Sequence, residues 1–399
     1  MRIATASRYD ATIDSLQRRQ AALTDSQDQM SSGRRVNKPS DDPTAASRAE
    51  RAHILQQRIE AQRRAIEYSG NAIRLAESAL GQAGDVLQSA RETLVNAGNG
   101  SYNATERDSL AKHLKQLRGQ LLSQANQADG NGGYTFGGQG SQNEPFLDQI
   151  GGVAFAGTGG QMQLSSSEEM PGAVDGKSVW LGARTGNGIY VTGADPANTG
   201  HAWIDSGGVT DPSAITGHDY SVVFSDSGGG AMTYSVLDGG APTAIAGQPY
   251  SSSAPITVDG MTFRVTGNPA DGDRFTIVPS QAGLDPFSVL DKAIAVLSDP
   301  NANSGQISQA VSSGLRDLDS VMGHMQSARS EAGATLSRLD SIDSREQDRD
   351  LWAKSVQSSA EDLDMVSAIS DFKNKQTNYQ AALQTYATVQ RMSLFDYIK

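Results

Sequence analysis

The 399-residue sequence contains no cysteine. That absence excludes disulfide scaffolds, thiolate zinc sites, iron–sulfur ligation and cysteine nucleophiles together. Aromatic residues make up only 6% of the chain, so its apolar surface is expected in narrow seams rather than one thick, ring-filled core. No apolar run approaches the roughly 18 residues of a membrane span. Met1-Arg2-Ile3-Ala4-Thr5 lacks the apolar stretch of a cleaved signal peptide. Neither membrane insertion nor general secretory export is expected. The length alone predicts roughly two to three domains.

The charge of -12 is unevenly placed. Residues 1–137 carry 18 Lys/Arg against 15 Asp/Glu, residues 138–283 carry 4 against 14, and residues 284–399 carry 11 against 16, giving +3, -10 and -5. The two ends differ in sign, as pairing partners do. Nucleic acid is a poor ligand for such a chain, because its one mildly basic segment interleaves acids with its bases. Glycine makes the same partition: 31 of 42 lie between Gly130 and Gly283, which confines helix-incompatible sequence to a central block.

The flanks have helical periodicity. Tyr9, Ile13, Leu16, Gln20, Leu23, Gln27 and Met30 form a seam of four- and three-residue steps, and Met365, Ile369, Phe372, Gln376, Tyr379, Leu383, Tyr386 and Gln390 form another. Isolated short helices are marginal in water, so each seam needs a partner, in the same chain or in a neighbouring subunit. Gly33, Pro39 and Pro43 interrupt the first flank, and Asp42 followed by Pro43 restarts a helix. Ala52, Ile59, Ile66, Ile73, Leu80, Leu87 and Leu94 then recur every seventh residue, predicting a helix to about Ala97, ~80 Å long. Asn103 and Glu106 make a capping pair before Leu110, Leu114, Leu117 and Leu121. After the central block, Asp285-Pro286 opens a short helix, and Val311, Leu315, Leu318, Met322, Met325, Ala332, Leu336 and Leu339 mark a long one. Such helices can bundle antiparallel. The central block alternates as strands do, with Asp259-Gly260 as a two-residue hairpin turn between Ile256-Thr257-Val258 and Met261–Val265.

No reaction centre assembles from these residues. His53, His113, His201, His218 and His324 are scattered, without metal-binding spacing. Gly172–Ser178 resembles a phosphate loop, but Pro171 stands where its leading glycine is required, which favours a β-turn. Glu361, Asp362 and Asp364 cluster, as do Asp348 and Asp350 beside Arg345 and Arg349, in the manner of solvated helix faces. Met322 and Met325 read as core. Trp180, Tyr190, Trp203 and Tyr220 are the candidate stacking rings if the central block binds carbohydrate. No metal and no cofactor are expected, and no enzyme activity.

The run from Ser31-Ser32-Gly33-Arg34-Arg35-Val36-Asn37-Lys38-Pro39-Ser40-Asp41-Asp42-Pro43 to Ala46, the opening Met1–Thr5 and the closing Val389–Lys399 resemble the flagellin and hook-associated protein superfamily. The likeness spans roughly residues 1–140 and 284–399, while Gly272-Asp273-Arg274-Phe275 is weakly similar to a turn in inserted domains of axial proteins. The resemblance implies a structural, self-assembling subunit at the hook–filament junction of the bacterial flagellum. It would meet copies of itself, hook-associated protein 1 and flagellin. It implies type III export without signal cleavage, a cytoplasmic chaperone on the C-terminal helix, and an extracellular destination. Flagellin or hook-associated protein 1 itself, or a surface adhesin acting through the central block, are the alternatives.

The expected fold is α plus β: a long helical bundle or coiled-coil rod made by the N- and C-terminal segments, with an inserted β-rich domain. Its segments are an N-terminal arm (1–42), a first rod part (43–137), the insert (138–283), a second rod part (284–350) and a C-terminal arm (351–399). The expected assembly interface comprises Tyr9, Ile13, Leu16, Leu23 and Met30, then Met365, Ile369, Phe372, Tyr379, Leu383 and Tyr386, with Leu394 and Phe395 of the closing segment.

Overall fold

The structure is a computed structural model that describes residues 2–139, 142–160, 170–228 and 231–395, with the side chains of 2–9 and 389–395 left out of the account. Seven α-helices lie among the described residues: α1 (Arg2–Ser32), α2 (Pro43–Ala97), α3 (Ala104–Ala125), α4 (Gly176–Leu181), α5 (Pro286–Ser298), α6 (Ser304–Glu361) and α7 (Met365–Phe395). The α-plus-β architecture read from the sequence is the one observed, with long helices in both terminal segments and strands gathered between Phe146 and Leu284. Two compact units emerge, Met1–Arg64 with Ser341–Lys399, and Ala65–Asp340.

Helix starts follow the capping chemistry. Asp42 accepts the backbone N–H groups of Thr44 and Ala45 at 3.1 and 3.0 Å, heading α2. Asn103 and Glu106 exchange side-chain and backbone hydrogen bonds as a capping box for α3. Asp285 precedes Pro286 at the head of α5, and Asp175 caps α4. The 350/351 boundary expected for the C-terminal arm falls inside α6. No breaker stands there, and the helix runs on to Glu361, where Asp362-Leu363-Asp364 turn.

In the first unit, α1 and α7 pack against each other. They run antiparallel: the Leu363 amide donates to the Gly33 carbonyl at 3.0 Å, and further along both helices Lys375 donates to the Ser26 hydroxyl at 2.7 Å. The portions of α2 and α6 in this unit meet through a small cluster of Val36, Ala45, Ala49 and Ala360. Gln56 donates to Gln357 at 2.8 Å, and Arg63 pairs with Asp343 at 3.1 Å.

In the second unit, the sequence-read ladder is the spine of the core. Ile73 of α2 is buried, and Leu80, Leu87 and Leu94 are buried beside Leu114, Leu117 and Leu121 of α3, Leu290 and Leu297 of α5, and Leu318 and Met325 of α6. α3 packs on α5, and ion pairs Arg329–Glu77 (2.6 Å) and Arg91–Asp319 (2.8 Å) tie α6 to α2. Phe136, Phe146, Trp180 and Phe287 close this core as an aromatic cluster, with Trp180 stacked on Phe287 at 6.0 Å between centroids. Arg118 of α3 reaches both sides of the insertion's base. It grips Asp148 with two 2.8 Å bonds and lies 2.6 Å from Asp291, and the hydrogen bonds to Asp148 push its pKa up.

The inserted strands form two main antiparallel sheets. One runs in the order Gln248–Pro249, Met232–Asp238, Tyr220–Asp226, Arg274–Pro279, Tyr190–Ala194, with Ala241–Pro242 also on Met232–Asp238. The other orders Pro255–Val258, Met261–Asn268 and His201–Ile204, with Gly208–Val209 also on the middle strand. Asp259 and Gly260 turn between paired strands with φ of 42° and 76°, the left-handed pair that a two-residue hairpin needs. Tyr190, Tyr220, Val222, Phe224, Phe263, Val265, Phe275 and Ile277 fill the space between them. The turn at Gly272-Asp273 is structural: Asp273 is buried and accepts the backbone N–H groups of Thr199, Gly200 and Ala270. Hydrogen bonds fasten this region to α6: the Ile204 amide donates to the Gln309 side-chain oxygen, Arg316 to the Thr192 carbonyl and Ser320 to the Arg184 carbonyl.

Candidate assembly interface

The chemistry-bearing candidates do not converge. Among the described residues no group of three His, Asp or Glu is placed to hold a metal ion. The Gly172–Ser178 run is a cap and turn: Asp175 heads α4, and a Cβ on Gly176 would lie 2.3 Å from the Phe136 carbonyl. Three of the four proposed stacking rings are wrong for that task. Trp180, Tyr190 and Tyr220 are at most 2% exposed, and only Trp203 is partly accessible. Tyr190 also donates to the carbonyls of Gly208 and Thr262, with burial pushing its phenol up to about 12. These rings were the largest side chains available to a ring-poor chain, and packing claimed them.

The terminal seams lie in one place, the α1–α7 pair of the first unit. Leu16, Leu23 and Met30 on α1 and Phe372, Tyr379 and Tyr386 on α7 are half-buried. Ile13, Met365, Ile369 and Leu383 are exposed, at 37, 44, 47 and 41%. Tyr9, Leu394 and Phe395 lie on these helices, but their side chains fall outside the described residues, as do Met1 and the closing Asp396–Lys399. On α1 the one deeply buried side chain among those described is Ser26. Two helices cover only one flank of each other, so a heptad seam paired this way keeps apolar area in water.

Behind the pair stands a polar joint that the sequence reading missed. The Arg35 amide donates to the Glu361 carbonyl at 2.6 Å, and its guanidinium bonds the Ala360 carbonyl and Asp42. Arg34 pairs with Glu361 at 3.6 Å. Asp364 accepts the Val366 and Ser367 amides and the Ser367 hydroxyl, capping α7. What read as a solvated acidic run is a cap and an ion-pair site, whose partners lie more than 300 residues away in the sequence. The Asp42 carboxylate is held down to about 2 by the Ala45 amide, then the Thr44 hydroxyl and Arg35. Asp364 is lowered too, by the Ser367 hydroxyl first.

A second feature escaped the sequence reading. The buried seven-residue ladder of α6 does not stop at Leu339 but continues through Glu346, Ala353 and Ala360. Glu346 is 6% exposed; one of its oxygens takes Arg349 at 2.7 Å, and the other is buried without a hydrogen bond.

Two family profiles match the chain: the bacterial flagellin N-terminal helical region over residues 3–141 and the bacterial flagellin C-terminal helical region over residues 315–398. Flagellar hook-associated protein 3 of Salmonella typhimurium is 28% identical over 399 residues, covering 99% of both chains. The crystal structure of flagellar hook associated protein-3 from Legionella pneumophila is 27% identical, with a TM-score of 0.71 over 77% of this chain and 98% of that one. That of the flagellar junction protein FlgL from the same organism gives 26% identity and a TM-score of 0.68, over 79% and 100%.

Proposed function

The chain belongs to the bacterial flagellin family, and from that premise we propose that it is the structural subunit joining hook to filament in the bacterial flagellum. The observation that carries the mechanism is the half-buried seam of the α1–α7 pair, an interface left incomplete within one chain. Copies of the same subunit complete it when the pairs pack around the flagellar axis, with apolar burial contributing roughly 25 cal/mol per Å². Tyr9, Ile13, Leu16, Leu23, Met30, Met365, Ile369, Phe372, Tyr379, Leu383, Tyr386, Leu394 and Phe395 are the side chains assigned to that packing.

In this reading residues 1–42 and 351–399 are assembly arms, 43–137 and 284–350 the rod, and 138–283 the outward domain. One end of the assembled ring contacts hook-associated protein 1 and the other flagellin, so that two different polymers meet without matching each other. The role asks for surfaces, not for a reaction. A chain free of cysteine and of disulfides passes unfolded through a type III channel without redox steps, a cytoplasmic chaperone covering the C-terminal seam beforehand. The subunit then resides outside the cell. Deletion of its gene is expected to leave hooks intact while flagellin escapes into the medium, and the full chain supplied in trans restores filaments. Filaments of normal length in the deletion strain would overturn the reading.

A further inference from the structure

One side of the α2–α6 pair in the first unit is uncovered. A cleft of about 330 Å³ opens there, lined by Thr44, Ala45 and Arg48 of α2 and by Ser355, Val356 and Ser359 of α6, with Asp42 at its end already neutralised by Arg35 at 3.1 Å. Helical spacing extends the same side through Leu55, seven residues after Arg48, and Trp352, four before Val356. Trp352 is 63% exposed, whereas Trp180 is buried and Trp203 half-buried. The α2 rim is basic: Arg48 and Arg58 are exposed and have no carboxylate partner among the described residues, and Arg51 donates to the Ser47 carbonyl.

We infer that this groove receives helix α1 of a second copy of the chain. The argument for that occupant is complementary charge. Asp10, Asp14, Asp25 and Asp28 fall on one face of α1, turned away from the seam with α7, and all four are exposed without a cation partner among the described residues. Asp14 and Asp25 are ~16 Å apart along their helix, and Arg48 and Arg58 ~15 Å along theirs. The α7 helix offers no such face, since its middle carries Lys373 and Lys375. Within one chain the two sets of charges do not meet. Between copies, α1 laid in the groove would bring four carboxylates to the arginine rim and cover Trp352. The inference rests on the self-assembling reading above and adds the surface through which copies grip.

The absence of cysteine makes the test clean. Full-length chains carrying Ala21→Cys, in the middle of the acidic face, and Ser355→Cys, on the groove wall, are co-expressed in a strain deleted for its own subunit, and isolated flagella are treated with a short bis-maleimide. A 21–355 dimer is expected. The control pair Ala21→Cys with Lys354→Cys, on the other side of α6, gives little product. Arg48→Glu with Arg58→Glu lowers the 21–355 yield about tenfold, and adding Asp14→Arg with Asp25→Arg restores it. A 21–355 yield no greater than 21–354, in flagella that still bear filaments, overturns the inference and leaves the junction role standing. Failure of the unmodified chain to restore filaments overturns the junction role, and this inference with it.

Discussion

The same seven-residue ladder is filled in two ways along α2 and α6. In the Ala65–Asp340 unit its α2 positions are Ile66, Ile73, Leu80, Leu87 and Leu94, the last three packed in a bundle with Leu318 and Met325. In the terminal unit they are Ala45 and Ala52 on one helix and Glu346, Ala353 and Ala360 on the other, relieved only by Ile59. Large aliphatic side chains supply cohesion, whereas alanine lets backbones approach but removes little apolar area from water. One repeat thus has a strong stretch and a weak one, and the weak stretch lies in the same unit as the α1–α7 pair.

That contrast can be broken from its strong side first. Leu87→Ala is expected to destabilise the Ala65–Asp340 unit by about 3 kcal/mol, because Leu87 is fully buried, and thermal unfolding by circular dichroism reads the loss. Ala353→Gly, at an equally buried position of the weak stretch, should cost about 1 kcal/mol, so equal losses from the two variants would refute the contrast. Glu346→Met has the opposite sign. Removing a buried, unbonded carboxylate oxygen is expected to stabilise the terminal unit by roughly 1–3 kcal/mol, seen as slower amide exchange in α6 beyond Ser341. Asp42→Ala loses the α2 cap and should lower the unfolding temperature by less than Leu87→Ala does. The smallest effect is in pH. Asp42 has a folded value of about 2 against an ordinary 3.8, so its contribution is complete above pH 3.8 and disappears as pH falls through about 2. In Asp42→Ala that portion of the acid transition should be missing.

Legibility followed locality. The Ile/Leu ladder of α2, the Asn103–Glu106 box and the Asp259-Gly260 hairpin were readable because each is decided by residues within a turn or by an unmistakable period. The continuation of α6 was not, since alanine and a buried glutamate carry no apolar signal. The joint of Arg34 and Arg35 with Ala360 and Glu361 was not, since its halves are brought together only by the fold. Trp180 illustrates the converse error. A ring in a Gly-rich stretch read as an available surface, yet it is stacked on Phe287, which lies in the helical flank. Of the two terminal seams the spacing was legible, whereas the choice between a partner in the same chain and one in a neighbouring subunit, and the depth of burial, were not.

Arg118 has a further consequence. By holding Asp148 and Asp291 together from α3, it closes the chain at the two points where the β-rich insertion leaves and returns. Lengthening an already closed loop costs entropy only logarithmically, about 0.6 kcal/mol per doubling. The two main sheets between those aspartates can therefore be enlarged or trimmed at small entropic cost, provided that Trp180 and Phe287, which also lie between them, keep their places in the helical core.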